Sequence, residues 1–153
     1  MRRVLVVLGT RPEAVKLAPV VRALRRRRVS VALVSKGQHR GLLQDALGDL
    51  GLRCDADLRL MRRDQDHGRL AARILSGLGP QLARFKPALA LVQGDTTTAA
   101  AAALACRYAR VPVGHVEAGL RSFDDQNPFP EENNRVVADH LSALRFAPTR
   151  AAL

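Results

Sequence analysis

The feature that most constrains this fold is an alternation between short, continuous apolar runs and segments with apolar residues at helical spacing. The runs predict strands at residues 3–9, 29–37, 57–61, 87–94 and 111–119, and the start of a last strand in 143–149. Continuously apolar strands are typical of parallel sheets buried on both faces. The sequence therefore predicts an α/β domain with a mostly parallel sheet, helices on both faces and right-handed crossovers.

Helices are predicted between these strands, at residues 12–28, 39–51, 68–85, 96–110 and 131–141. Pro12 suits a first helical turn, Pro19 is expected to kink the same helix, and Gly51 is expected to close the second one. Residues 121–130 are predicted to form an irregular loop.

The composition excludes several classes of protein. With 153 residues, of which 47% are hydrophobic, the chain can bury the core of one domain, and disorder is excluded. Because only 3% of the residues are aromatic, that core must consist mostly of Ala, Val and Leu. No stretch is long and apolar enough to span a membrane, and the N-terminal apolar run lacks a cleavage site. We therefore expect a cytoplasmic protein.

The two cysteines, Cys54 and Cys106, match no metal-binding or redox spacing. We expect both to be reduced and Cys106 to be a small core residue. The formal net charge of +11 is compatible with a nucleic-acid partner or with an anionic small substrate such as a nucleotide. The basic residues are scattered, and their one run, Arg25 to Arg28, falls at a predicted helix end, where cations suit the helix dipole.

Polar loops follow four of the predicted strands. Ligands of parallel sheets bind beyond the carboxyl ends of the strands, where "GTRPE", "GQHR", "GDTTT" and "GHVEAGLRS" would lie. In "GTRPE", Arg11 is placed to meet an anion at a helix start, and Lys16 follows about one turn later. The alternative is a surface Arg11 with Thr10 as a helix cap. The glycine spacing fits neither a Walker loop nor a dinucleotide fingerprint.

The other loops carry carboxylates, each with a structural alternative. Asp95 or the following Thr96 is able to cap a helix. Glu117 follows an apolar strand, where an unpaired charge is costly, so either it is paired, with Arg121 or Arg135 as candidates, or it acts as an acid or base. His115, flanked by apolar residues, is expected to be a satisfied core residue, and no metal site is predicted.

Glu131 and Glu132 open the last predicted helix. Negative charge in a first turn is stabilised by about 0.3–1 kcal/mol per residue, which is sufficient as a structural explanation. Neighbouring helical residues point in different directions, however, so one glutamate can face a site while the other faces solvent. Asp95, Glu117 and Glu131 would then be three carboxylates near one sheet edge, a grouping that suits proton removal and return on a sugar.

These motifs resemble a known family. The segments "GTRPEAVKLAPV", "GQHR", "VQGDTTT", "GHVEAGLRS" and "PFPEENNRVVADHLS" match the bacterial non-hydrolysing UDP-N-acetylglucosamine 2-epimerases in order and spacing, and the match continues to "FAPT". The resemblance implies two Rossmann-like domains of the glycosyltransferase-B type, with the active site between them. It also implies interconversion of UDP-N-acetylglucosamine and UDP-N-acetylmannosamine, by C2 proton abstraction, elimination of UDP and its re-addition.

The resemblance assigns roles to individual residues. Asp95, Glu117 and Glu131 correspond to the acid/base carboxylates, Arg11 and Lys16 to contacts with the nucleotide-sugar, and Arg135 to a residue expected to orient Glu131 or the phosphates. No metal and no nicotinamide cofactor are implied. Gln38, His39 and Arg73 correspond to an activator site for a second nucleotide-sugar, although Gly41 departs from the longer residue usual in that loop.

The family chain continues for more than one further domain. The resemblance therefore implies that residues 1–153 are the N-terminal domain, that a C-terminal domain completes the cleft, and that the full-length enzyme is a cytoplasmic homodimer. It implies no nucleic-acid or membrane partner. We expect the isolated domain to bind UDP-sugar weakly and to turn it over poorly.

Three alternative functions are compatible with parts of this sequence. The same architecture serves as the acceptor or UDP-sugar-binding half of a glycosyltransferase, although the three carboxylates argue against it. A nucleic-acid-binding domain fits the positive charge but lacks aromatic platforms. A non-catalytic remnant of the epimerase would fold without activity.

Overall fold

The computed structural model describes residues 3–37, 42–62 and 64–153. Within these residues the chain forms a three-layer α/β domain around a six-stranded sheet of order β3-β2-β1-β4-β5-β6, in which every strand pair is parallel. The elements follow in chain order: β1 Arg3–Leu8, α1 Arg11–Arg26, β2 Ser30–Ser35, α2 Leu42–Asp49, β3 Ala56–Asp57, α3 His67–Phe85, β4 Leu89–Gln93, α4 Thr97–Tyr108, β5 Val113–Val116, α5 Glu131–Leu141, β6 Leu144–Phe146 and a 3₁₀ turn Arg150–Ala152. The predicted fold class is confirmed.

The strand order reverses at β1. The chain runs outward from β1 to β2 and β3, and then crosses to β4 on the other side of β1, with Val4 opposite Leu89 and Val6 opposite Leu91. In parallel sheets the loops diverge at such a switch point and leave a crevice beyond the carboxyl ends of the two strands. The crevice here lies between the ends of β1 and β4.

The two faces of the sheet bury separate cores. Alternate residues of β1 point to opposite faces, with Leu5 and Val7 on the side of α3 and α4, and Val6 and Leu8 on the side of α1 and α2. Most residues of helix α4 are buried, and alanine is its commonest residue, so it packs closely between α3 and α5. Small side chains in this helix allow a dense core in a chain with few aromatic residues.

Several predicted boundaries differ from the structure. The third strand was predicted at residues 57–61, but it comprises only Ala56–Asp57, because Arg59 has a φ of 51° that departs from extended geometry. The first helix ends at Arg26, two residues early, and Arg28 has a φ of 59°. Helix α1 continues through Pro19. Residues 39–41 of the second predicted helix lie outside the described residues.

The cysteine predictions are confirmed. Cys54 and Cys106 are both free, and Cys106 is fully buried in α4. Burial raises the pKa of Cys106 to about 12 and that of Cys54 to about 11, so both are protonated thiols at neutral pH. Of the helices in the described ranges, none combines the length and the apolar character needed to cross a membrane.

We predict that Leu78→Ala lowers the free energy of unfolding by about 3 kcal/mol, because the side chain is fully buried in the α3 core and its removal leaves a cavity. Leu144→Ala on the edge strand is the control. Since Leu144 is 48% exposed, it should cost about 1 kcal/mol or less. Urea denaturation followed by circular dichroism measures both. Equal losses would contradict the assignment of the core.

Candidate active site

A cavity of about 500 Å³ lies at the carboxyl ends of β1, β4 and β5. It occupies the switch-point crevice. Its lining comes from the start of α1, from the β4–α4 loop and from the end of β5: Thr10, Arg11, Pro12, Glu13, Lys16, Leu43, Gln93, Gly94, Asp95, Thr96 and Glu117. The structure thus brings four of the six residues predicted for catalysis and substrate binding (Arg11, Lys16, Asp95 and Glu117) to one cavity.

Glu117, which directly follows β5, is held both through its backbone and through its carboxylate. Its backbone has a φ of 68°, a left-handed conformation uncommon for residues other than glycine, and its N–H donates to the Phe146 carbonyl at 3.0 Å. One carboxylate oxygen accepts from the Lys16 ammonium at 2.6 Å and from the Gln93 amide. Arg121 and Arg135, the candidate partners from the sequence, pair with other carboxylates, so that part of the prediction is wrong.

Asp95 is held by α5. Its carboxylate pairs with the Arg135 guanidinium, which also donates to the Leu120 carbonyl at 2.9 Å. Thr96, and not Asp95, caps α4, because its hydroxyl accepts from the Ala99 N–H at 3.1 Å. Asp95 is therefore free of a capping role. Arg135 pairs with Asp95 in this structure, and its predicted role toward Glu131 or the phosphates stays a prediction.

Glu13 is a buried carboxylate at the floor of the cavity that the sequence analysis missed. It is 3% exposed and accepts from the N–H groups of Gly9 and Thr10, the latter at 2.9 Å, and from the Thr96 hydroxyl at 2.7 Å. Burial raises the pKa of Glu13, against the opposing effects of these hydrogen bonds and of the Lys36 charge. The Thr-x-x-Glu capping box, from Thr10 to Glu13, was the available sequence signal.

Lys36 was also missed. It directly follows β2, is 6% exposed, and is the positive charge that acts on Glu13. Burial lowers the pKa of Lys36, and the Glu13 charge opposes this effect. A charged residue directly after an apolar strand was the signal available in the sequence.

The two glutamates at the start of α5 have different environments. Glu131 lines a second cavity of about 190 Å³ with Lys36, and Thr96 lines both cavities, so the second adjoins the first. Glu132 is 2% exposed, pairs with Arg121 at 2.6 Å, and accepts from the Ser122 N–H at 3.0 Å. The expectation that one glutamate faces solvent is wrong, because loop 121–123 covers Glu132.

Arg73, one of the residues predicted for an activator site, lines neither of the two cavities described above. Arg73 donates to the Leu60 carbonyl at 3.4 Å and lines a separate shallow pocket on α3. Gln38, His39 and Gly41 lie outside the described residues. The structure therefore leaves the activator site as a prediction.

His115 is a satisfied core residue, as predicted. It is fully buried, with Nδ1 2.6 Å from an Asp139 carboxylate oxygen and Nε2 2.7 Å from the Gly94 carbonyl oxygen. Within residues 3–37, 42–62 and 64–153, no group of three or more His, Cys, Asp or Glu side chains is placed to hold a metal ion.

A doubly wound parallel sheet with a polar, charged cavity at its switch point defines a Rossmann-like α/β domain, the class in which ligands bind beyond the carboxyl ends of the strands. More narrowly, the chain belongs to the UDP-N-acetylglucosamine 2-epimerase family, whose sequence model matches residues 22–153. It is 48% identical over 151 residues to the UDP-N-acetylglucosamine 2-epimerase of Escherichia coli K12, covering 98% of this chain and 40% of the relative.

Solved structures agree with this assignment. The epimerase of Neisseria meningitidis bound to UDP-GlcNAc superposes with a TM-score of 0.94 at 42% identity, covering 98% of this chain and 41% of that one. The Methanocaldococcus jannaschii enzyme in complex with UDP-GlcNAc and UDP gives a TM-score of 0.91 at 37% identity, over 98% and 41%. The chain thus spans about 40% of the length of the relatives it matches.

We predict that Glu132→Gln lowers the free energy of unfolding at neutral pH by about 2 kcal/mol or more, because it removes the charge paired with Arg121. The Ser122 N–H, and then Arg121, lower the pKa of Glu132 from 4.5 to about 2, against burial. When folding lowers the pKa of a carboxylate, the charged carboxylate stabilises the folded protein. This stabilisation is complete at pH values above the pKa of the unfolded state, and it is lost as the pH falls toward the pKa of the folded state. The difference in unfolding free energy between the wild type and Glu132→Gln should therefore become smaller as the pH falls from 4.5 to 2.

Denaturant unfolding of both proteins at several pH values measures this difference. Glu131→Gln is the matched control, because it removes the neighbouring charge from a partly exposed position. It should cost less than about 1 kcal/mol at neutral pH. A loss of unfolding free energy in Glu132→Gln that does not change with pH would contradict the buried ion pair.

Proposed function

We propose that this chain is the N-terminal half of the catalytic cleft of a UDP-N-acetylglucosamine 2-epimerase. The observation that carries the proposal is the convergence of Glu117 and Asp95, each held by a cation, on one cavity at the switch point of the sheet. Membership of the family supports the substrate, the reaction and the product, UDP-N-acetylmannosamine. A cytoplasmic homodimer, closed by a second domain, is part of the same proposal.

Epimerisation at C2 requires a proton to leave one face of the carbon and to return to the other. A carboxylate takes the C2 proton, the C1–O bond breaks as UDP leaves, and the C1–C2 double bond of a glycal forms. A second acid then delivers a proton to the opposite face of C2 while UDP re-adds at C1. The reaction therefore needs acid/base groups on two sides of the sugar ring.

The two adjoining cavities suit this requirement. Glu117 and Asp95 line the first, Glu131 lines the second, and Thr96 contributes to both. A sugar ring bound across Thr96 would have carboxylates on either side. This division assigns the three predicted catalytic residues to two groups and leaves the direction of each proton transfer open.

The cations of the first cavity suit the diphosphate. Lys16 is half-exposed and bonded to Glu117, so a phosphate that attracts Lys16 would release a carboxylate oxygen for the proton transfer. Arg11 is exposed at the start of α1, where the helix N-terminus also favours an anion. Arg135 is 12% exposed and stays on Asp95, which favours a fixed orientation for that carboxylate.

We predict that this chain supplies a competent active-site half when it replaces the 151 matched residues of the Escherichia coli relative in a full-length fusion. In deuterated water the fusion should exchange the C2 proton of UDP-N-acetylglucosamine and form UDP-N-acetylmannosamine, both observed by NMR. Glu117→Gln and Asp95→Asn should each reduce this exchange by about 100-fold or more, because they remove an acid/base group.

The control is Asp64→Asn, since Asp64 is an exposed carboxylate that lines neither cavity. The proposal is contradicted by a folded fusion that binds UDP but exchanges no C2 proton, while the unmodified relative does so under the same conditions. Transfer of the sugar to an acceptor would favour a glycosyltransferase half instead.

The isolated chain should be a poor catalyst. One wall of a cleft does not hold the sugar in reactive geometry, so we expect C2 exchange at least about 100-fold slower than in the fusion. The same NMR assay on the 153-residue chain measures it. Exchange at the rate of the fusion would show that the second domain is not needed.

A further inference from the structure

His115 and Asp139 form a buried pair that no step of the proposed reaction uses. The ring of His115 is fully buried, and the Asp139 side chain is 14% exposed. Both oxygen partners of the ring, the Asp139 carboxylate and the Gly94 carbonyl, are acceptors. Each ring nitrogen of His115 therefore faces an oxygen, and these two contacts fix the orientation of the ring.

The pair reaches the backbone next to two carboxylates of the first cavity, Asp95 and Glu117. Through Nε2 it contacts the carbonyl of Gly94, which has a φ of 70° and directly precedes Asp95. Through Asp139 it accepts from the Gly119 N–H at 3.0 Å, two residues after Glu117. Gly94 and Gly119 both have left-handed backbone conformations. The paths of the two loops therefore depend on the contacts that hold these glycines in place.

Helix α5 connects this pair to the other carboxylate. Glu131, Arg135 and Asp139 are spaced four residues apart and therefore lie along one face of the helix. Glu131 lines the second cavity, Arg135 holds Asp95, and Asp139 holds His115 and Gly119. This face of α5 thus contacts Asp95, the loop that follows Glu117, and the second cavity.

From this geometry we propose that His115 and Asp139 are positioning residues, which fix the distances between Asp95, Glu117 and Glu131 without touching the substrate. The inference rests on the proposed function for its catalytic consequence. A displacement of about 1 Å in reacting groups lowers rates by as much as about 100-fold, so the loss of this pair should appear in kcat more than in KM.

The first test uses the 153-residue chain and needs no activity. Asp139→Ala removes both carboxylate oxygens, so His115 Nδ1 and the Gly119 N–H each lose their partner. The backbone amide signals of Asp95 and of Glu117 to Gly119 should shift. The Gly94 and Gly119 amides, which donate to the Val116 carbonyl and to Asp139, should lose protection from hydrogen exchange. Amides of the central strand β1 should keep their protection, which reports that the domain is folded.

The second test measures kcat and KM of the full-length fusion. Asp139→Ala and His115→Gln should each lower kcat by about 10- to 100-fold with KM within about threefold, because the acid/base groups are misplaced while binding groups remain. His140→Gln is the matched control, since His140 is the exposed neighbour of Asp139 on α5. It should change neither the loop amides nor kcat.

The outcomes separate the two proposals. An inactive wild-type fusion rejects the proposed function, while the amide measurement still decides whether the pair orders both loops. If the fusion is active, an unchanged kcat in both variants overturns the positioning role. A loss of kcat that is fully explained by the fraction of unfolded protein overturns it as well. Loop amides that stay unchanged in Asp139→Ala also overturn it.

Discussion

The arrangement of the cavity depends on the Glu13 carboxylate, which joins the two sides of the switch point. It binds the Gly9–Thr10 turn after β1 and the Thr96 hydroxyl at the start of α4. The space is tight, because a Cβ on Gly9 would lie 2.5 Å from the Thr98 hydroxyl oxygen. Three donors compensate the burial of this carboxylate, so the loops that carry Arg11 and Asp95 are held in one relative position.

Charge pairing explains how a chain of net charge +11 maintains several carboxylates at one sheet edge. Lys16 pairs with Glu117, Arg135 with Asp95 and Arg121 with Glu132, so the site contains alternating charges. Of these cations, Lys16 is the most exposed and the most available to an incoming anion. The positive charge is thereby consistent with an anionic nucleotide-sugar as the ligand.

The sequence predicted the sheet and the placement of Asp95 and Glu117 because both follow apolar strands whose carboxyl ends meet at one edge. It did not predict their partners. Lys16 and Glu117 are 101 positions apart, and periodicity carries no information on such contacts. The burial of Glu132 was missed for a related reason, since it depends on how loop 121–123 folds back over α5. Glu13 could have been found, because its capping-box spacing is local.

The central claim is that carboxylates of this chain flank the reacting carbon of a UDP-sugar. The most direct measurement is a crystal structure of the full-length fusion with UDP-N-acetylglucosamine bound. We expect C2 to lie about 3–3.5 Å from a carboxylate oxygen of Glu117, Asp95 or Glu131, the separation of reacting atoms in a productive complex. A sugar ring bound in the cleft with C2 beyond about 6 Å from all three would contradict the account.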